Sequence, residues 1–191
     1  MSVREIVTIG DPVLRTRARD VAPDELRSPQ VQRLIDDLIE TRRAAHGAGL
    51  AANQVGETLR IAVAELEGTN PRYPHKPPIQ LCVMVNPVVE PGDDEMLEIN
   101  EGCLSVPDLR GYVERHASVR VRYLDREGRE RAEVKRGLTA GTFQHEVDHL
   151  EGILFVDRAD PRTLATWDEY ERHQRTEFEG RARSIVARYG S

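Results

Sequence analysis

Apolar and polar positions change period several times along this chain, and each change marks an element. Residues 5–22 alternate apolar with charged positions and carry Gly10-Asp11-Pro12, which predicts an extended, loop-rich arm. Ser28-Pro29 sets a capping side chain before a proline at the first helical position. Val31, Leu34, Ile35 and Leu38 follow at helical spacing, so a helix is expected to about Ala45. Gly47-Ala48-Gly49-Leu50-Ala51-Ala52-Asn53-Gln54 then interrupts that period. Residues 59–67 and 79–89 read as strands, separated by a proline-rich loop at 71–78. Pro91-Gly92-Asp93-Asp94 predicts a turn, and residues 96–99 a short returning strand. Residues 117–124 alternate, with Val119, Val121 and Tyr123 on one face. Asp125-Arg126-Glu127-Gly128 turns the chain into a partner strand near residues 131–135. A helix over about 138–150 ends at Gly152, where a glycine cap is expected. Asp160-Pro161 is expected to open a last helix over about 160–189, with Leu164, Trp167 and Tyr170 as its apolar stripe. Strands cluster in the middle and helices lie between and after them, so the class is α+β.

Composition narrows the function. A length of 191 residues suits one domain with its own core, taken as 1–191. Net charge is −6, without the basic surplus of a nucleic-acid footprint, so no DNA partner is expected. No apolar run approaches the ~20 residues that span a bilayer, and no membrane partner is expected. Met-Ser-Val-Arg-Glu-Ile-Val lacks the apolar core of a signal peptide. The two cysteines, Cys82 and Cys103, therefore read as free thiols in a reducing compartment, and a cytoplasmic location is expected.

The candidate chemistry sits in His145-Glu146-Val147-Asp148-His149. Histidines four apart share one helix face, so both imidazoles can reach one metal ion, with the intervening glutamate near a water on that metal. Glu146 points to a neighbouring face, which suits a general base better than a ligand. Catalytic sites of this kind use three protein ligands plus a water. An extended motif would place a third histidine at position 155, but that residue is Phe155, which has no ligand atom. Glu169 stands where a following helix could supply the third ligand of a zinc peptidase. Cys103, in Glu101-Gly102-Cys103-Leu104-Ser105, is the other candidate. Cys82 lies in the apolar run Leu81-Cys82-Val83-Met84-Val85 and reads as a buried, inert thiol.

Three segments in order, Gly47 to Gln54, Glu101 to Ser105 and Gln144-His145-Glu146-Val147-Asp148-His149-Leu150, resemble the peptide deformylase family. Ile9-Gly10-Asp11-Pro12-Val13-Leu14-Arg15 resembles that family's N-terminal arm, and the likeness runs from about residue 5 to about 157. The resemblance implies antiparallel sheets packed around a central metal-binding helix, with an N-terminal and a C-terminal helix. It implies one divalent metal ion on Cys103, His145 and His149, naturally Fe(II), with zinc, nickel or cobalt able to substitute. It implies metal-dependent hydrolysis of the N-formyl group from the N-terminal methionine of new polypeptides, releasing formate, with Glu146 as the proton shuttle. Gln54 and the Leu104 backbone N–H would stabilise the developing oxyanion. Gly49 would let an extended substrate backbone approach, Arg110 would help place the peptide, and Ala48, Ile99, Leu138, Gly141 and His145 would line a methionine pocket. Ala48 and Gly141 stand where the family commonly has larger aliphatic residues, which predicts a roomier pocket. Partners implied are N-formylmethionyl nascent peptides and, transiently, the ribosome.

Overall fold

The structure is a computed structural model, and it describes residues 2–68, 70, 73 and 75–191. In chain order the helices are α1 (Pro23–Leu26), α2 (Pro29–Ala44), α3 (Gly137–Leu150), α4 (Trp167–His173) and α5 (Arg175–Tyr189). The strands are β1 (Gly49–Ala51), β2 (Ile61–Leu66), β3 (Ile79–Pro91), β4 (Met96–Cys103), β5 (Val106–His116), β6 (Ser118–Leu124), β7 (Glu130–Arg136) and β8 (Ala165–Thr166). Of the proline-rich loop expected between β2 and β3, residues 71, 72 and 74 lie outside the described residues.

Helix α2 begins as its sequence dictates. Ser28 Oγ accepts from the Val31 N–H at 3.3 Å, and Pro29 occupies the first turn, where no N–H is needed. One sheet has the order β1-β2-β3-β6-β7 and the other β4-β5-β8, with every pairing antiparallel. Strand β2 is buried on both faces, and its period of two sorts its side chains. Ile61 and Val63 share a core with Leu34, Ile35 and Leu38 of α2. Ala62 and Ala64 share the other core with Ala140, Phe143 and Leu150 of α3. Small side chains on that face let α3 lie close against the sheet. Phe143 is fully buried there, and truncating such a residue to alanine costs about 3–5 kcal/mol.

Three expectations need correction. Strand β4 does not return along β3. It runs eight residues and pairs with β5, because β2 and β6 already occupy both edges of β3. Strand β5 has no expected counterpart. Its Arg110 and Arg115 are buried, so charged residues stand where an apolar alternation would be sought. The last helix is not continuous over 160–189. Asp160 caps a single turn, Pro161–Thr163, and residues 165–166 then pair with Leu109 and Arg110 of β5. Thr166 caps α4, and Gln174 separates α4 from α5. The buried stripe is Tyr170, Phe178 and Ala182, while Leu164 and Trp167 are half-buried.

Candidate metal centre

The two histidines stand on successive turns of α3, and the cysteine ends β4 where the β4–β5 register shifts between Gly102 and Cys103. That junction brings three ligand atoms together. Cys103 Sγ lies 3.2 Å from His149 Nε2, and His149 Nε2 lies 3.2 Å from His145 Nε2. All three atoms lie within 4.8 Å of one another. A tetrahedral metal with bonds of about 2.0–2.1 Å to nitrogen and about 2.3 Å to sulfur holds its ligands roughly 3.3–3.6 Å apart. The Cys-His-His set therefore fits one transition-metal ion. Glu169 is exposed on α4 and paired with Arg172 and His173, so the zinc-peptidase reading loses its third ligand. Phe155 is buried in a core cluster that includes Cys103.

Buried polar groups hold this set in place. His145 Nδ1 bonds Glu101 Oε2 at 2.9 Å, which directs Nε2 towards the other ligands. Arg115 clasps both oxygens of Glu101 at 2.8 and 2.9 Å and also pairs with Asp148, which in turn binds Arg158. Burial opposes ionisation of Glu101, but Arg115 and His145 outweigh it and hold its pKa well below the carboxylate range. Cys103 Sγ accepts from the Ser105 N–H at 3.4 Å and from Gln54 Nε2 at 3.5 Å. Asn53 Nδ2 donates to the backbone carbonyl of His149. Sequence reasoning missed Glu101 and Arg115 as functional residues. The signal for Glu101 was available, since Ile99, Glu101 and Cys103 alternate on one face of a strand.

Glu146 is 3% exposed, and its Oε2 has no hydrogen-bond partner among the described residues. Burial raises its pKa to about 7, against the lowering pull of His145 and Lys76. The carboxylate lies over the bare Cα of Gly49, where a Cβ would come within 2.2 Å of Glu146 Oε1. Gly49 therefore makes room for Glu146, a reason its sequence context did not reveal.

A cavity of about 40 Å³ opens beside the ligands. Ala48, Gly49, Gln54, Ile99, Leu104 and Gly141 line it, with Glu146 and the ligands Cys103 and His145. Gln54 is oriented from both ends. Its Oε1 accepts from the Ala51 N–H at 2.9 Å, and its Nε2 donates to Ser105 Oγ at 3.1 Å. Leu138, expected to line the pocket, stands behind its wall, and Arg110, expected to help place the peptide, does not reach it. Leu138 is fully buried in a cluster with Ile99, Tyr170 and Phe178. Arg110 is buried against Trp167 and Tyr170 and bonds Asn100 Oδ1 at 2.7 Å, so it supports a lining residue without lining the cavity itself. Ile99 Cδ1 lies 2.7 Å from where a Gly141 Cβ would stand, so Ile99 packs into the space beside this glycine. A larger groove of about 770 Å³ over β3, β6 and β7 contains none of the converging ligands.

Paired antiparallel sheets around a helix that carries two convergent histidines, a cysteine and a buried carboxylate define a metal-dependent hydrolase. The family profile described as polypeptide deformylase matches residues 3–165. The chain belongs to that family, whose members remove the N-formyl group from newly made polypeptides. Peptide deformylase of Leptospira biflexa is 40% identical over 169 residues, covering 88% of this chain and 94% of its own. Peptide deformylase 1A of Arabidopsis thaliana, named chloroplastic/mitochondrial, is 44% identical over 87% of this chain and 65% of its own. A Met-Ala-Ser-bound crystal structure of class I type b peptide deformylase from Acinetobacter baumannii aligns with a TM-score of 0.79. It is 41% identical and covers 82% of this chain and 98% of that one. Among the described residues, no helix is long and apolar enough to cross a membrane.

Proposed function

We propose that Cys103, His145 and His149 hold one divalent metal ion, and that Glu146, Gln54 and Leu104 carry out formamide hydrolysis beside it. The observation that carries this reading is the convergence of three ligand atoms next to a buried carboxylate, one oxygen of which has no hydrogen-bond partner among the described residues. When bound, such a metal lowers the pKa of a water from about 15.7 towards ~7 and polarises the formyl oxygen. Glu146 takes the water's proton and passes it to the leaving amine. Attack on the formyl carbon moves negative charge to its oxygen, and the Gln54 side-chain amide and the Leu104 backbone N–H are the fixed donors for it. Ala48, Ile99 and Gly141 surround the first side chain of the substrate, with Leu138 behind them. Gly49 leaves the approach of the peptide backbone open. Arg110 acts on the peptide site through Asn100.

Fe(II) is the ion we assign in the cell, with zinc, nickel or cobalt able to substitute. A thiolate ligand supports this class, since it favours softer transition metals over magnesium or calcium. The substrate is an N-formylmethionyl nascent peptide, and the Acinetobacter relative bound to Met-Ala-Ser supports formyl-Met-Ala-Ser as its test form. We place the protein in the cytoplasm as one domain, in transient contact with the ribosome. Helix α5 is a poor docking face for that contact, since Arg175, Arg181 and Arg188 are already paired with Glu171, Glu98 and Glu95. The test is formate release from formyl-Met-Ala-Ser by anaerobically purified protein, with metal analysis of the same sample. Activity with bound iron, lost in air, is the expected result. Metal-loaded protein that releases no formate contradicts the reading.

A further inference from the structure

Lys76 brings a positive charge to a cavity whose other charged lining groups include Glu101 and Glu146. It lies between β2 and β3, and the neighbouring His75 packs edge-on against Phe178 of α5 at 5.0 Å. The Lys76 backbone N–H bonds Tyr73 O at 3.1 Å. Lys76 Nζ donates to Thr142 Oγ1 at 3.0 Å and stands 5.0 Å from the centre of the Tyr73 ring. Thr142 follows Gly141 and precedes His145 by one turn of α3, and all three line the same cavity as Lys76. Burial lowers the pKa of Lys76 to about 8, opposed by Glu101 and Glu146.

An ammonium carries three N–H donors. Thr142 accepts from one, and Lys76 Nζ makes no second hydrogen bond among the described residues, its other contact being the face of the Tyr73 ring. Unfilled donors at a partly enclosed wall favour a ligand that brings its own acceptor. A methionine side chain ends near a thioether sulfur, a weak acceptor. Its sulfoxide presents an oxygen on the same skeleton and is a common oxidation product. Norleucine has the same length and no acceptor.

We propose that Lys76, set by Thr142, is a specificity-determining residue that donates to the sulfur end of the first side chain, so that the enzyme also accepts peptides beginning with formyl-methionine sulfoxide. The sulfoxide is bound and left unchanged, and only the formamide is cleaved. The proposal rests on the deformylase reading above and on the side-chain pocket assigned there.

The experiment compares kcat/KM for formyl-Met-Ala-Ser and its norleucine and methionine-sulfoxide analogues, using the wild-type protein, Lys76→Met and Lys76→Arg. The wild type is expected to favour the sulfoxide peptide over the norleucine peptide. Lys76→Met should reduce that ratio roughly tenfold or more, the worth of a hydrogen bond to a charged donor. Lys76→Arg, which keeps the donors, should hold the ratio close to that of the wild type. Formate from all three peptides with the same ratio in Lys76→Met as in the wild type overturns the assignment of Lys76 alone. No formate from any peptide overturns the deformylase reading and this assignment with it.

Discussion

Gly49 and Glu146 form the tightest dependence at the scale of single residues. A Cβ on Gly49 would meet Glu146 Oε1, Cδ and Cγ at 2.2, 2.4 and 2.6 Å, so Gly49→Ala must displace the carboxylate. General-base catalysis is worth roughly 10²–10⁴ in rate, and a loss of that order in kcat is expected with metal content unchanged. Formate release together with metal analysis of Gly49→Ala checks this, and an unaltered kcat would contradict it. Glu101 carries a pH dependence. Its pKa is depressed in the fold, so its contribution to stability is present above the ordinary value of 4.5 and is lost as pH falls below it. The Tm of the wild type should therefore fall more steeply than that of Glu101→Gln on acidification from about pH 5 to about pH 2, as followed by calorimetry. The two histidines were legible from residue type and spacing, whereas Cys103 was separated from Glu169 only by the resemblance to the family. The positions of Glu146 over Gly49 and of Ile99 against Gly141 were not, because they are set by how closely α3 lies to its neighbours.

At the scale of elements, the metal-binding helix is tied to β4 and β5 by charge as well as by packing. Arg115 of β5 joins Glu101 of β4 to Asp148 of α3, all three being buried. Removing one partner from such a network leaves an uncompensated buried charge and costs about 3–5 kcal/mol. Arg115→Ala should lower Tm by roughly 10 °C and weaken metal binding by about 10–100-fold, since Glu101 would lose its hold while still bonded to His145. Calorimetry and metal titration read the two effects, and an unshifted metal affinity would show that Glu101 orients His145 without help. Elements whose polarity follows burial were legible in the sequence: α2 by its 3.6-residue stripe, β6 by Val119, Val121 and Tyr123, and α3 by its histidines. Strand β5 was not, because Arg115 is buried in this network and Arg110 is buried against Trp167 and Tyr170. The C-terminal helix was read as continuous because residues 160–189 carry charges on most faces and no glycine before Gly180 to mark a break. Only tertiary pairing with β5 reveals that 165–166 is a strand.

At the scale of the whole molecule, the ligands come from separate layers. Cys103 belongs to the three-stranded sheet, and the histidines belong to a helix packed on the five-stranded sheet. A bound ion therefore links the two halves and stabilises the folded state by mass action. Occupied at about a thousand times its Kd, such an ion contributes about 4 kcal/mol, so removal by a chelator should lower Tm by roughly 8–16 °C. Restoring the metal should restore the Tm, and a Tm indifferent to chelation would contradict a link between the sheets. The α+β class followed from the order of strands and helices, but the division into two sheets did not, since nothing in the local pattern of β4 distinguishes β3 from β5 as its partner. The central claim is that Cys103 holds the metal while Glu146 moves the proton. Parallel measurement of metal content and formate release in Cys103→Ala and Glu146→Ala tests it directly. The account predicts that Cys103→Ala loses both metal and activity, while Glu146→Ala keeps its metal and loses activity. A Cys103→Ala protein that retains both would contradict it.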